Sequence, residues 1–217
     1  MTQALRLESL CVSHRSEVLV ALDLTVNPGE VLTIMGASGS GKSTALAAIL
    51  GTLTPDFTQT GRIWLGSREI TTLPPHLRRV GLLFQDDVLF PHLSVGGNLG
   101  FAIPPDVKGR EPRRALIEGA LDSADLRGFA PRDPATLSGG QRARVALMRT
   151  LLANPAALLL DEPFSRLDTA LRAQIRSFVL DRIAHQGLAT VLVTHDTEDA
   201  IAAGGPVISP LGAPLTV

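Results

Sequence analysis

The sequence predicts an α/β fold: a mostly parallel sheet, an antiparallel β region at the N-terminus, and an inserted α-helical lobe. Three observations carry this. Short apolar runs suited to buried parallel strands occur in both halves of the chain, as "VLTIM" and "GLLF" early and "ALLL" and "TVLVT" late. Between them, from Asp86 to Asn154, there is no convincing buried strand, and Pro104-Pro105 and "KGREP" break the pattern. The length of 217 residues, with 45% hydrophobic and 19% charged content, suits one large domain or one domain with an added lobe.

At the N-terminus Leu5, Leu7 and Ser9 alternate with Arg6, Glu8 and Leu10, and "LVALDLTV" comes next, which predicts short strands. Asn27-Pro28-Gly29 is a turn signal before the strand Val31–Met35. Ser43 to Leu50 reads as a helix with Gly51 as its stop. "GRIWLGSREI" reads as strand and turn, and Val80–Phe84 as another buried strand. "RRALIEGALDSADL" is helical in pattern. Ser138 is placed to cap a helix reaching about Ala153, with Asn154-Pro155 closing it. Val145, Leu147, Met148, Leu151 and Leu152 give that helix an apolar surface, while Arg142, Arg144 and Arg149 read as a solvated face. Strands resume with "AALLLD" and "ATVLVTH". Between them Leu171, Ile175, Phe178 and Val179 recur at helical spacing, with Gly187 as a stop. These readings give a core lobe of about 1–85 and 155–217 and a helical lobe of about 86–154.

The residues that terminate the apolar runs point to chemistry. "VLTIM" leads into Gly36, "GLLF" into Gln85, "ALLL" into Asp161-Glu162, and "TVLVT" into His195. In open α/β sheets ligands bind beyond the carboxyl ends of parallel strands, so four such ends suggest one shared site. Gly36, Ala37, Ser38, Gly39, Ser40, Gly41, Lys42, Ser43 and Thr44 fit G-x-x-x-x-G-K-[ST] in full. Glycines let backbone N–H groups wrap an anion, and the adjoining helix adds its positive end. Lys42 is expected to reach the β- and γ-phosphates of a nucleotide, and the Ser43 hydroxyl to ligate Mg²⁺. Only two of the 20 basic residues are lysine, Lys42 and Lys108, so an ammonium is kept where a planar guanidinium would not substitute. Asp161 is expected to hold Mg²⁺ through water, and Glu162 to polarise an attacking water. His195 is read as a γ-phosphate contact. Gln85 reads either as part of the site or as a strand cap. No guanine-specifying Asn-Lys-x-Asp stretch occurs, which favours ATP.

These motifs together resemble the ATP-binding subunit of ABC (ATP-binding cassette) transporters over nearly the whole chain. They stand as "GASGSGKST" (Walker A), "LLFQ" (Q-loop), "LSGGQ" (signature), "LLLDEP" (Walker B), "SRLD" (D-loop) and "VTHD" (switch histidine). The resemblance implies a P-loop NTPase (RecA-like) core that hydrolyses ATP with Mg²⁺, with Lys42, Glu162 and His195 as the catalytic set. It implies that Gln85 contacts nucleotide and metal beside Ser43 and Asp161. It further implies a head-to-tail dimer, in which Ser138, Gly139, Gly140, Gln141 and Asp168 of one subunit complete the site of the other. Transmembrane permease subunits would dock on the helical lobe, with a solute-binding protein in the same system. "LFPHLSVGGNLGF", Leu89–Phe101, is similar to importer-type subunits for small solutes such as thiamine, polyamines, iron or oxyanions. An exporter subunit, or a soluble ABC ATPase acting on nucleic acid or ribosomes, is the alternative.

Three departures stand out. "CVSHRSEV" offers no aromatic side chain for adenine, leaving His14 as a stacking residue or a solvated turn residue. Arg166 stands where a small residue is common, and is read as a partner contact or merely exposed. "GGPVISPLGAPLTV" after His195 leaves no room for an extra C-terminal regulatory domain, so regulation of that kind is not expected.

The remaining bulk properties agree. A formal net charge of -1 argues against nucleic acid as a partner. A single cysteine, Cys11, in an apolar run suits a buried position and a reducing cytoplasmic location. The N-terminus lacks a secretory pattern, and no apolar run approaches the ~20 residues of a membrane span. Attachment to the inner face of the membrane would therefore come through the permease.

Overall fold

The computed structural model describes residues 3–217. In chain order the first half holds β1 (Leu5–His14), β2 (Glu17–Val26), β3 (Val31–Met35), α1 (Lys42–Leu50), β4 (Phe57–Leu65), β5 (Arg68–Glu69) and β6 (Val80–Leu83). Then come α2 (Val95–Ala102), α3 (Arg110–Ser123) and α4 (Gly139–Leu152). The chain finishes with β7 (Ala157–Asp161), α5 (Thr169–Gln186), β8 (Ala189–Thr194), α6 (Thr197–Ala203) and β9 (Val207–Ile208). Contacts divide it into two compact units. One holds the chain up to Leu82, Ala156–Glu162 and Arg176–Val217; the other holds Leu83–Pro155 and Pro163–Ile175.

The first unit contains both sheets. An antiparallel sheet has the order β2-β1-β4-β5, and a second sheet the order β6-β7-β8-β3-β9. Within the second, β7 with β8, β8 with β3, and β3 with β9 are parallel pairs. β8 is buried at every residue and β3 and β7 at all but the last, which explains their unbroken apolar sequence. Leu5, Leu7, Leu10 and Val12 of β1 share one core with Ile34, Ile49, Leu159 and Val191.

The simple alternation expected in β1 breaks at Ser9. That residue has a φ of 47° and is exposed, and the register with both neighbouring strands shifts there. The bulge turns Leu10 inward, beside Leu5 and Leu7, rather than outward with Arg6. Cys11, expected to be buried, is only half-buried.

α1 stops where the sequence predicts. Gly51 takes a left-handed φ of 82°, and its N–H donates to the Ala47 and Ala48 carbonyls. Arg78 completes this end. It is only 4% exposed, and Nη1 donates to the Ala48 and Ile49 carbonyls at 2.9 Å each. Nε and Nη2 hold the Leu73 and Thr71 carbonyls at 2.8 and 2.6 Å. A Cβ on Gly51 would fall 2.5 Å from the guanidinium carbon, so glycine there serves both the turn and the arginine. Burial pulls the Arg78 pKa down, while the negative end of α1 is a favourable setting for its charge.

The second unit is helical, and no strand lies between Asp86 and Asn154. α2, α3 and α4 pack on one another. Ser138 caps α4 through a complete capping box: its hydroxyl accepts the Gln141 N–H, and the Gln141 side chain accepts the Ser138 N–H at 3.0 Å. Fully buried Asn98 accepts the Phe90 N–H at 2.7 Å and donates to the Phe90, Leu93 and Ser94 carbonyls, pinning residues 90–94 to α2.

Two expectations need correction here. The arginines of α4 are not a solvated face. Arg142 donates to the Leu137 carbonyl at 2.7 Å and reaches Asp87, Arg144 holds the Ala124 carbonyl at 2.9 Å, and Arg149 holds the Val88 carbonyl at 2.9 Å while lying over Phe90. Irregular loops leave carbonyls without partners, and a forked guanidinium can satisfy several at once. The helical unit also starts at Leu83 and includes Pro163–Ile175, which the sequence assigns to the core lobe. Packing decides this: Phe164 and Ile175 are buried, and a Cβ on Gly140 of α4 would lie 2.6 Å from Leu171.

Candidate functional site

The site in the first unit begins where β3 ends. Residues 36–41 form a loop that feeds directly into α1. Gly39 and Gly41 have φ of 79° and 101°, and a Cβ on Gly41 would sit 2.4 Å from the Leu19 carbonyl oxygen. Only glycine satisfies both that conformation and that approach. α1 has a glycine at its N-cap position with no side-chain cap, and no acidic residue in its first turn. Its leading N–H groups, which a capping side chain would otherwise occupy, are available to an anion. Lys42 is 6% exposed, and Nζ donates to the Gly36 and Ala37 carbonyls at 2.7 and 3.0 Å. The Ser40 Oγ is buried with no hydrogen-bond partner among the described residues, a hydroxyl that suits a phosphate oxygen. Ser38, Gly39, Gly41, Lys42, Ser43, Thr44 and Glu162 line a cavity of about 170 Å³.

The two strands neighbouring one another in the same sheet bring the rest. β7 ends at Asp161, and Glu162 comes next with a left-handed φ of 45°, its N–H donating to the Val193 carbonyl of β8 at 2.9 Å. That conformation is uncommon for a non-glycine residue, costs of order 1–3 kcal/mol, and is typical of functional positions. It sets the Glu162 carboxylate with one oxygen 3.9 Å from Lys42 Nζ and the other 3.2 Å from His195 Nδ1. Lys42, Glu162 and His195, predicted from three separate stretches of sequence, are thus brought together.

Burial pushes the Asp161 carboxyl above the ordinary carboxylate range; Glu162 adds to this and Lys42 opposes it. The folded state therefore holds a proton on Asp161 more tightly than the unfolded chain does. Stability is lost as pH rises from the unfolded pKa through the folded one, and the full cost remains at neutral pH. Asp161→Asn is expected to raise the nucleotide-free melting temperature at pH 7, with the gain shrinking toward pH 3; melting curves across that range check it. A carboxylate that the fold destabilises in this way is a suitable ligand for a cation. No group of three or more His, Cys, Asp or Glu side chains is placed to hold a metal by itself among the described residues. Mg²⁺ commonly takes one or two protein ligands and fills its shell with water and phosphate oxygens, so Ser43 and Asp161 suit it with a nucleotide present.

The other predicted residues belong to the helical unit. Gln85 is exposed just beyond β6. Ser138, Gly139, Gly140 and Gln141 open α4; the capping box uses the N–H groups of Ser138 and Gln141, so those of Gly139 and Gly140 are the donors it does not use. Asp168 accepts the Leu171 N–H at 3.1 Å and caps α5. Arg166 is ion-paired with Asp86. His14, in the first unit, lies against Phe57, ring centroids 5.0 Å apart, with Nε2 3.3 Å from Asp56. Sequence reading misses Phe57 as its neighbour because the contact crosses β1 to β4, and it misses Arg176 and Asp199, an ion pair at 2.9 Å.

Among the described residues no helix is long and apolar enough to cross a membrane. The ABC transporter family model matches residues 19–165. The chain is 47% identical to the uncharacterized ABC transporter ATP-binding protein YnjD of Escherichia coli K12, over 88% of this chain and 90% of that protein. It is 42% identical to the thiamine import ATP-binding protein ThiQ of Cereibacter sphaeroides, over 90% and 83%. It is 41% identical to the molybdenum import ATP-binding protein ModC of Mycobacterium tuberculosis, over 97% and 62%. With its glycine loop, strand-end carboxylates and signature helix in place, this chain belongs to the ABC transporter family as an ATP-binding, ATP-hydrolysing subunit.

Proposed function

We propose that the chain hydrolyses ATP in a site shared with a second copy, and that hydrolysis drives import of a small solute through separate transmembrane permease subunits. The observation that carries the catalytic part is the Glu162 carboxylate, set between the Lys42 ammonium and His195 at the glycine loop. In this reading the N–H groups of residues 36–44 cradle the phosphates, and Lys42 neutralises the β- and γ-oxygens. Ser43 and Asp161 would hold Mg²⁺, which would supply charge neutralisation for the phosphates. Glu162 orients and polarises the attacking water, and His195 donates to the γ-phosphate. His14, steadied by Phe57 and Asp56, is the side chain we assign to the adenine.

The partner subunit would supply Ser138, Gly139, Gly140, Gln141 and Asp168, so that ATP is closed between two chains. Relatives named for thiamine and molybdenum import support the direction of transport and a small solute. A solute-binding protein would belong to the same system, and the chain would sit at the inner face of the membrane. A tagged copy captured from detergent-solubilised membranes is expected to bring down a polytopic membrane protein. Recovery of ribosomes or DNA in its place would overturn the transport reading.

A further inference from the structure

We infer that Asp199, acting with Thr194 and Arg176, is a positioning residue for His195 and so for hydrolysis. This rests on the role proposed above for His195. The His195 side chain is 59% exposed, so surrounding packing does little to hold the ring at Glu162. Its place depends on the backbone to either side. Before it, buried Thr194 donates its hydroxyl to Asp199 Oδ2 at 3.3 Å and accepts the Asp196 N–H at 3.0 Å. After it, Asp196 Oδ1 accepts the N–H groups of Glu198 and Asp199 at 2.7 and 3.4 Å, turning the chain into α6. Asp199 is 2% exposed, and its other oxygen takes Arg176 Nη1 of α5 at 2.9 Å. Arg176 also reaches Glu198 at 3.7 Å.

A loop of hydrogen bonds therefore closes over residues 194–199 with His195 inside it, and α5 anchors the loop. A buried ion pair is weak evidence of stability, since two apolar residues of the same shape often do as well. Its better-attested use is to fix register. Here the register is that of the turn presenting His195. A displacement of about 1 Å at such a group can lower a rate by as much as roughly 10²-fold.

The test uses the full chain carrying Thr194→Val, which keeps shape and strand preference but removes both hydroxyl bonds, and Thr194→Ser, which keeps them. Thr194→Val is expected to lower kcat roughly tenfold with the Kd for ATP nearly unchanged, and Thr194→Ser to restore it. Asp199→Asn, as a second variant, should lower kcat in the same way. In a His195→Ala background neither Thr194→Val nor Asp199→Asn should lower kcat further. Equal losses in both backgrounds, or undiminished kcat in Thr194→Val, would overturn the positioning role while leaving His195 in place. Undiminished kcat in His195→Ala alone would instead remove the proposed role of His195, and the positioning role with it.

Discussion

Replacing Glu162 by Gln is expected to lower ATP turnover by roughly 10²–10⁴-fold while ATP remains bound. The side chain is held from two directions, by Lys42 and His195, and its backbone N–H is fixed to Val193. Glutamine keeps the length and planar shape, so the left-handed turn and the loop should survive. What is lost is the negative charge that polarises water. The same charge faces the phosphates that Lys42 would neutralise, so removing it also removes a like-charge repulsion with bound nucleotide. Two results should therefore appear together: hydrolysis close to background, and a dimer that persists with ATP on size exclusion. Turnover equal to the unmodified chain would remove Glu162 from the role of water activation.

Much of this site is legible in the sequence because its parts are local. A strand, a glycine loop and a helix occupy consecutive residues, and each demands particular residue types. Gly41 must be glycine for its φ and for the Leu19 carbonyl, and Lys42 must be able to bend back to the loop carbonyls. The capping box at Ser138 and Gln141 and the stop at Gly51 are likewise readable from a few neighbours. What escapes reading is whatever depends on partners far along the chain. Arg78 holds carbonyls about thirty residues away, and nothing in "PPHLRRV" distinguishes it from exposed Arg79 beside it. Arg142 and Arg149 satisfy loop carbonyls, yet in sequence they occupy an ordinary polar stripe. The assignment of Pro163–Ile175 to the helical unit turns on Leu171 meeting Gly140, a contact with no periodic signature. The bulge at Ser9 inverts the alternation for a similar reason: two partner strands set it, not β1 alone.

Mixing a Lys42→Ala copy with a Ser138→Arg copy is expected to restore activity that neither has alone. Each change breaks a different half of the proposed shared site. Lys42→Ala removes the ammonium from the glycine loop, leaving the phosphates without their principal cation. Ser138→Arg removes the capping hydroxyl of α4 and puts a long side chain where the partner's nucleotide must approach. In a dimer of either copy alone, both sites carry one broken half. In a mixed dimer the two faults fall on the same site, and the other combines an intact Lys42 with an intact Ser138. Random pairing of equal amounts makes about half the dimers mixed, each with one of two sites whole, so activity should recover to about a quarter of the unmodified level if the sites act independently. Recovery should also rise when one copy is in excess of a trace of the other, counted per trace copy, since nearly all of the trace then sits in mixed dimers. Activity that stays at background at every ratio, with mixed dimers demonstrably formed, would count against a site shared between chains. The glycine pair of the signature would then need a role within its own subunit.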